Sequence, residues 1–275
     1  MAEAKRAKRR TRIRNGAIVV VLAALVILLV VVTTGNGSPP AKTTTTTTST
    51  TSSSSTSSTT STTAATANDT AAQKSANSAA VAGGCPASPS ARVNDKTWSA
   101  APAMTIDPTK TYKATVKTTI GTFVITLLAK TAPTTVNNFV FLADQGYYSC
   151  NIFHRVIPGF MDQTGDPTGT GSGTPGYTLA NENVPTSYAT GDVAMAGSGT
   201  SASGSQFFVT VPGGATTLDH DLTPKKGVGY SLFGKVTSGL TVAEKINAEG
   251  NATASANGIP PKVIQRIISV TIATS

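Results

Sequence analysis

The side chains best placed to do chemistry gather in one stretch, Phe153–Asp166, which reads FHRVIPGFMDQTGD. Arg155, a permanently charged donor of five N–H groups, stands between Phe153 and Phe160, with Met161 and Gln163 close behind. Pro158–Gly159 is a turn pair, so the stretch reads as strand, turn, strand, and the two-residue period sends Arg155 and Val156 to opposite faces. An obligate cation beside apolar groups, with an amide close by, is an unusual thing to build into a sheet. Other arrangements for chemistry are weaker. His154 and His220 are the only histidines, and no serine sits in a G-x-S-x-G elbow. His154 follows Phe153 in a strand and reads as a hydrogen-bonded core or rim residue. Asp219, His220 and Asp221 are consecutive, and three neighbours rarely point at one ion, so they read as a solvated loop and no metal site is assigned. Asp162 and Asp166 flank Gln163 as an imaginable acid/base pair, but Gly165 and Pro167 favour a turn there. Gly171–Gly176 (GSGTPG) matches G-x-G-x-x-G only formally, with Pro175 inside it and no helix after it.

Composition places these residues in a chain of several parts. Hydrophobic residues make up 39% and mean hydropathy is +0.02, an ordinary average that conceals one apolar run and one Ser/Thr tract. The net charge of +9 is also local. Seven of the 22 basic residues fall within the first 14 positions, leaving 15 basic against 12 acidic residues after Glu3 and that cluster. The charge is therefore no argument for nucleic-acid binding by the folded part. Met1–Asn15 is a basic head. Gly16–Thr34 carries no charge and no proline, and as a helix it spans roughly 28 Å, enough for a bilayer core of about 30 Å with snorkelling flanks. Basic residues on its N-terminal side alone predict a single-pass anchor in the cell membrane, with the N-terminus cytoplasmic and the bulk of the chain outside. The competing reading is a cleaved signal peptide, against which stand the length of the apolar run and the lack of an A-x-A-like site directly after it.

Residues 35–84 are rich in Ser, Thr and Ala, with Thr43–Thr63 almost unbroken Thr and Ser; they cannot bury enough apolar area to offset chain entropy and are expected to form a disordered tether. Asn68 and Asn251 stand in N-x-T sequons. Residues 85–111, with the lone Trp98, read as an irregular lead-in. Cys85 and Cys150 are too few for a disulfide framework; outside the cytoplasm they can pair with each other, the alternative being two unrelated thiols.

Regular structure is expected over 112–275. Tyr112–Thr118 and Thr122–Leu128 alternate and read as a hairpin. A helix follows, with Thr131 as cap, Pro133 in its first turn, Val136, Phe139, Val140 and Ala143 at helical spacing, and Gly146 at its end. Short strands are expected near Ile152–Val156, Phe160–Gln163, Asp192–Ala196, Gln206–Thr210 and Leu232–Val236, a helix at Val242–Ala248 capped by Thr241, and a last strand at Val263–Ile272. Eight strands, two helices and glycine-rich corners predict a mainly β domain, a closed eight-stranded antiparallel barrel capped by two helices.

A second segment, Met195–Thr210 (MAGSGTSASGSQFFVT), alone reads as a flexible turn running into a core strand. Together with the first it resembles the cyclophilin family of peptidyl-prolyl isomerases. FHRVIPGFMDQTGD matches that family's FHR-x-I-P-G-F-x-x-Q-x-G-D signature at every fixed position; GSQFF at Gly204–Phe208 and SLFGKV at Ser231–Val236 match two more segments. The helix with Ala132–Phe139 (APTTVNNF) and the terminal run VIQRIISVTI fit as well. The likeness covers about Tyr112–Ile272. In the loop GDPTGTGSGTPGY (Gly165–Tyr177) it is especially close to membrane-anchored, extracytoplasmic actinobacterial members.

The resemblance implies isomerisation of X-Pro bonds in extracytoplasmic, unfolded or folding proteins, without cofactor or metal. A chaperone or binding module with incidental isomerase activity is the alternative. The barrier is amide resonance, about 18–20 kcal/mol, and it falls when a donor engages the imide nitrogen of the twisted bond. That role falls to Arg155, with Gln163 holding the substrate carbonyl or ordering Arg155. The implied apolar socket is Phe160, Met161, Phe208 and Leu218, with Gln206 and Tyr230 beside it, and Ala196 and Gly197 pairing with substrate backbone. Gly197–Ser198 replaces the family's common Asn-Ala. Thr217–Leu218–Asp219 stands where many members have Trp-Leu-Asp, and because that indole is a family contact for cyclosporin, weak cyclosporin binding is expected. His220–Gly229 is longer than in compact members.

Overall fold

The computed structural model describes residues 70–198, 200–221 and 229–275. The expected basic head (1–15), the anchor (16–34) and the linker up to residue 69 lie outside the described residues. Among those described, no helix is long and apolar enough to cross a membrane.

The end of the stretch expected to be disordered is in fact helical. Ala71–Ala82 forms α1, capped by Thr70, whose side chain accepts from the Gln73 N–H at 3.1 Å. Alanine carries the highest helix propensity, and the helix gains partners from the domain beside it. The Ile264 N–H donates to Gln73 Oε1 at 2.7 Å, and a methyl group at Gly83 would meet Ile268 Cδ1 at 2.6 Å. Composition alone hid this docking, because small side chains and one glutamine make it.

β1 (Tyr112–Thr118) and β2 (Gly121–Leu127) form the expected hairpin, with Ala114, Val116, Phe123, Ile125 and Leu127 turned inward. α2 (Pro133–Asp144) starts at a proline and buries Val136, Phe139, Val140 and Ala143. Thr131 does not cap it. The carboxylate of Glu182 reaches in from a distant loop to accept the N–H groups of Thr134 (3.1 Å) and Thr135 (2.8 Å), a negative charge at the positive end of the helix. After it come β3 (Arg155–Ile157), β4 (Met161–Thr164), β5 (Thr178–Ala180), β6 (Asp192–Gly197), β7 (Ser201–Thr210), α3 (Gly214–Asp221), β8 (Leu232–Ser238), α4 (Leu240–Ala248) and β9 (Ile267–Thr274). The N-cap of α4 is Gly239, in the left-handed conformation at φ 75°, so Thr241 lies inside the helix.

The closed eight-stranded barrel is corrected to an open, curled antiparallel sheet. Among the described residues there are nine strands, ordered β3-β4-β7-β6-β8-β2-β1-β9, with β5 paired to β7 off that path. Among the described residues, the two ends are joined by the Ile152–Arg266 bridge and neighbouring backbone bonds rather than by a continuous ladder between β3 and β9. Cys150, at φ 65°, breaks the extended backbone just before that bridge, so β3 does not continue back into a regular ladder. The core fills the inside of the curl around Phe139, whose ring lies 5.0 Å from Tyr148, 5.5 Å from Phe207 and 5.2 Å from Phe233. A disulfide joins Cys85 to Cys150 (Cα–Cα 5.4 Å), tying the lead-in to the turn after α2.

Candidate active site

Strand register builds the site. Arg155 pairs with Gln163, Gln163 with Phe208, Phe208 with Ala194, and Ala194 with Leu232. Directly opposed residues share a face, so this row crosses β3, β4, β7, β6 and β8 on the outer side of the sheet. Two positions along those strands stand Met161, Gln206 and Ala196, on the same face. The intervening row, Val156, Asp162, Val209 and Val193, turns into the core.

The outer face is a groove of about 610 Å³, and all ten residues singled out for substrate contact line it: Arg155, Phe160, Met161, Gln163, Ala196, Gly197, Gln206, Phe208, Leu218 and Tyr230. Its floor is apolar, with Met161, Phe208 and Leu218 almost wholly buried and Phe160, Ala196 and Tyr230 packed against them. Leu218 is supplied by α3, a helix that sequence periodicity did not reveal. Tyr230 meets Phe208 edge-on at 5.2 Å. Its position is fixed by Tyr188, whose hydroxyl donates to the Tyr230 carbonyl (2.7 Å) and accepts from the Tyr230 N–H (2.9 Å).

The polar rim is one connected network. Arg155 donates through Nε to the Asn257 carbonyl (3.1 Å), through Nη2 to Asn257 Oδ1 (2.8 Å) and through Nη1 to Gln163 Oε1 (3.2 Å). Gln163 Nε2 donates to Gln206 Oε1 (3.0 Å), and Gln206 Nε2 donates to the carbonyls of Gly171 and Gly173, both at 2.9 Å. These glycines belong to the loop that matched G-x-G-x-x-G; it presents carbonyls to a glutamine and opens no helix. Asp166 holds this loop in shape, its carboxylate accepting from the N–H groups of Thr168 (2.7 Å), Thr170 (3.1 Å), Gly171 (2.7 Å) and Gly173 (3.0 Å). Burial alone would raise the Asp166 pKa, but the bonds from Thr168, Gly173 and Gly171 outweigh it and hold the carboxyl below its usual range. Burial lowers the pKa of Arg155, an effect partly offset by nearby Tyr230; a guanidinium so placed still keeps its charge at neutral pH.

The other titratable groups do not converge on the groove as acid and base. His154 is buried with neither ring nitrogen bonded to a protein group, and burial lowers its pKa to about 4 against a smaller opposing effect of Asp166. It is a neutral wall residue rather than the hydrogen-bonded one expected. Asp162 faces the core, where burial raises its pKa to about 8 although Asn247 Nδ2 donates to it at 2.8 Å. Asp219, His220 and Asp221 end α3, with side chains outside the described residues. Asn257, Tyr188 and Asn247 were missed from sequence. Only Asn257 had a local signal, as the first residue of an Asn-Gly turn pair. The result is a planar cationic donor over an apolar socket, flanked by amides.

Comparison with known proteins agrees. The family described as cyclophilin type peptidyl-prolyl cis-trans isomerase/CLD matches residues 113–272. Peptidyl-prolyl cis-trans isomerase B of Bacillus subtilis is 42% identical over 123 residues, 44% of this chain and 80% of that protein. The peptidyl-prolyl cis-trans isomerase of Helicobacter pylori is 40% identical over 156 residues, 51% of this chain and 90% of that protein. A crystal structure of a cyclophilin type peptidyl-prolyl cis-trans isomerase from Cryptosporidium parvum superposes with a TM-score of 0.51 at 27% identity, covering 60% of this chain and 99% of that one. A second structure of that protein, determined in the presence of the dipeptide Ala-Pro, gives 0.50 at 27% identity over 59% and 99% of the two chains. Matched over more than half its length by the family, and carrying the family's signature residues in one groove, the chain belongs to the cyclophilin-type peptidyl-prolyl cis-trans isomerases.

Proposed function

We propose that the groove binds proline-containing peptide segments and that Arg155 speeds isomerisation by donating a hydrogen bond to the prolyl nitrogen of the twisted bond. One observation carries this reading. Three of the five guanidinium N–H groups are spent on Asn257 and Gln163, and the other two have no protein partner among the described residues, at the edge of an apolar floor made by Met161, Phe208 and Leu218. A planar imide carries no lone pair to accept, whereas a twisted, pyramidal nitrogen does. The bond is therefore worth more in the transition state than in either ground state, which is the condition for catalysis. Phe160 and the floor take the proline ring, Gln163 and Gln206 hold Arg155 and the neighbouring carbonyl, and Ala196 and Gly197 at the end of β6 offer backbone groups to the substrate. No cofactor is needed. A charge-assisted hydrogen bond contributes about 1.5–3 kcal/mol, so Arg155→Ala should slow isomerisation of an Ala-Pro peptide about 10- to 100-fold with the fold intact. An unchanged rate refutes the assignment.

The isomerase is further proposed to act outside the cytoplasm, tethered by a transmembrane helix at residues 16–34, as in the membrane-anchored actinobacterial members whose loop it resembles. Support comes from the one-sided basic cluster before the apolar run and from the Cys85–Cys150 disulfide, since such bonds persist in oxidising compartments. Labelling of intact cells with a membrane-impermeant reagent should reach the domain; protection until lysis refutes this topology. Weak cyclosporin binding belongs to the same proposal, with Thr217 lining the groove where an indole is common in the family.

A further inference from the structure

The family match begins at residue 113, yet the segment before it is bonded to a wall of the groove. The Val93 N–H donates to the Pro167 carbonyl at 3.1 Å, and the Trp98 N–H donates to the Pro175 carbonyl at 2.8 Å, so the lead-in grips the 166–176 loop near both ends. Its own placement is firm. The Trp98 indole stands edge-on to Phe141 at 5.1 Å and tilts over Tyr147 at 6.0 Å, and Asn94 Nδ2 donates to the Tyr147 carbonyl at 3.0 Å. Gly176, at φ +100°, lies directly against the Trp98 carbonyl, leaving no room for a side chain. Pro175 in turn lies on Gly204, where a methyl group would meet its Cγ at 2.7 Å.

What the loop does for the site makes this grip matter. Thr170, Gly171 and Ser172 line the groove, and the carbonyls of Gly171 and Gly173 are the only acceptors for the Gln206 amide among the described residues. Those two bonds decide which way the Gln206 amide faces. With Nε2 turned to the loop, Oε1 is presented to Gln163 Nε2, and Gln163 is thereby oriented with its own oxygen toward Arg155. If the loop drifts, both glutamine amides are free to turn over, and the guanidinium loses its Nη1 partner, leaving only its two bonds to Asn257.

We propose that the lead-in, through Trp98 and the Val93 N–H, is a positioning device of the isomerase site: it clamps the 166–176 loop so that Gln206 and Gln163 aim Arg155. Trp98 touches no substrate and is a positioning residue, and the proposal rests on the role given to Arg155 above. Misaim of a transition-state donor lowers kcat more than substrate binding. In the full chain, Trp98→Ala should therefore lower kcat about fivefold or more while KM stays within about twofold, and Trp98→Phe, which keeps an aromatic ring over Tyr147, should recover most of the loss. The side-chain amide resonances of Gln206 should shift and broaden in Trp98→Ala and return in Trp98→Phe. Should Trp98→Ala melt below the assay temperature, Val93→Pro, which removes one N–H donor and leaves the indole in place, decides the matter by the same two readouts. A variant that lowers the melting temperature but leaves kcat and the Gln206 resonances unchanged overturns the proposal. Arg155→Ala is assayed alongside: if it is impaired and the Trp98 and Val93 variants are not, the clamp fails and the role of Arg155 stands. If Arg155→Ala is silent, the role of Arg155 fails, and the Gln206 resonances alone judge whether the clamp sets the amides.

Discussion

Asp162 offers a test of how the sheet divides its two faces. It lies between Met161 and Gln163 on β4, but its carboxyl enters the core beside Val156, Val193 and Val209, and Oδ2 has no protein partner. Burial raises its pKa from 3.8 to about 8, against a smaller lowering by Asn247. A folded-state pKa above the unfolded one means that the carboxyl's contribution is intact below the unfolded value and lost as pH climbs toward the folded one. Integrating that difference, the loss between pH 5 and pH 8 is about 3–4 kcal/mol. Asp162→Asn keeps the acceptor for Asn247 and removes the titration. The amide left without a partner where Oδ2 stood costs about 1–3 kcal/mol, but it does so equally at every pH. The prediction therefore concerns slope. Urea unfolding of both proteins between pH 5 and pH 8 should give curves that converge or cross, with the wild type losing about 3 kcal/mol more than the variant over that range. Parallel curves, within about 0.5 kcal/mol, would show that the carboxyl titrates normally and that the core-facing assignment is wrong.

Three further outcomes follow from the same structure. His154, with its pKa lowered to about 4 by burial, must take up a proton on unfolding, so stability present above about pH 6.5 falls by up to about 3 kcal/mol as pH drops through that window; His154→Leu should flatten this acid limb in a urea titration. Cys150→Ser, which opens a disulfide spanning 65 positions, should lower the unfolding free energy by about 2–4 kcal/mol, read as a lower urea midpoint that reductant no longer shifts. Thr217→Trp should raise cyclosporin affinity about tenfold by calorimetry, since roughly 60 Å² of added apolar contact contributes about 1.5 kcal/mol.

Much of the groove was legible because its residues sit in two short segments with a fixed two-residue period. Once Phe153–Asp166 and Met195–Thr210 are strands, register alone brings Arg155, Gln163 and Phe208 into one row. Hairpin β1–β2 and the buried stripe of α2 were visible for the same reason, since local periodicity carries them. What escaped depends on contacts far apart in sequence. Glu182 caps α2 from 47 positions beyond Thr135, so the local Thr131 was a decoy. Asn257 binds Arg155 across 102 positions, and no periodicity announces it. α1 looked like tether because alanine and serine bury little area; its docking rests on Gln73 meeting the Ile264 backbone, 191 positions away. Closure of the barrel was overcounted because regular strand spacing says nothing of a left-handed residue such as Cys150 at the seam.

The central claim is that Arg155 acts on the twisted bond rather than on binding. Exchange NMR on an Ala-Pro peptide with wild-type protein, Arg155→Ala and Arg155→Lys measures both quantities in one sample. Affinity for the peptide should change no more than about threefold, because the apolar floor is untouched, while on-enzyme cis–trans exchange drops about 10- to 100-fold in Arg155→Ala and is only partly restored by the lysine, whose single ammonium lacks the planar fork. Exchange that persists in Arg155→Ala, or a loss explained wholly by weaker binding, would contradict it.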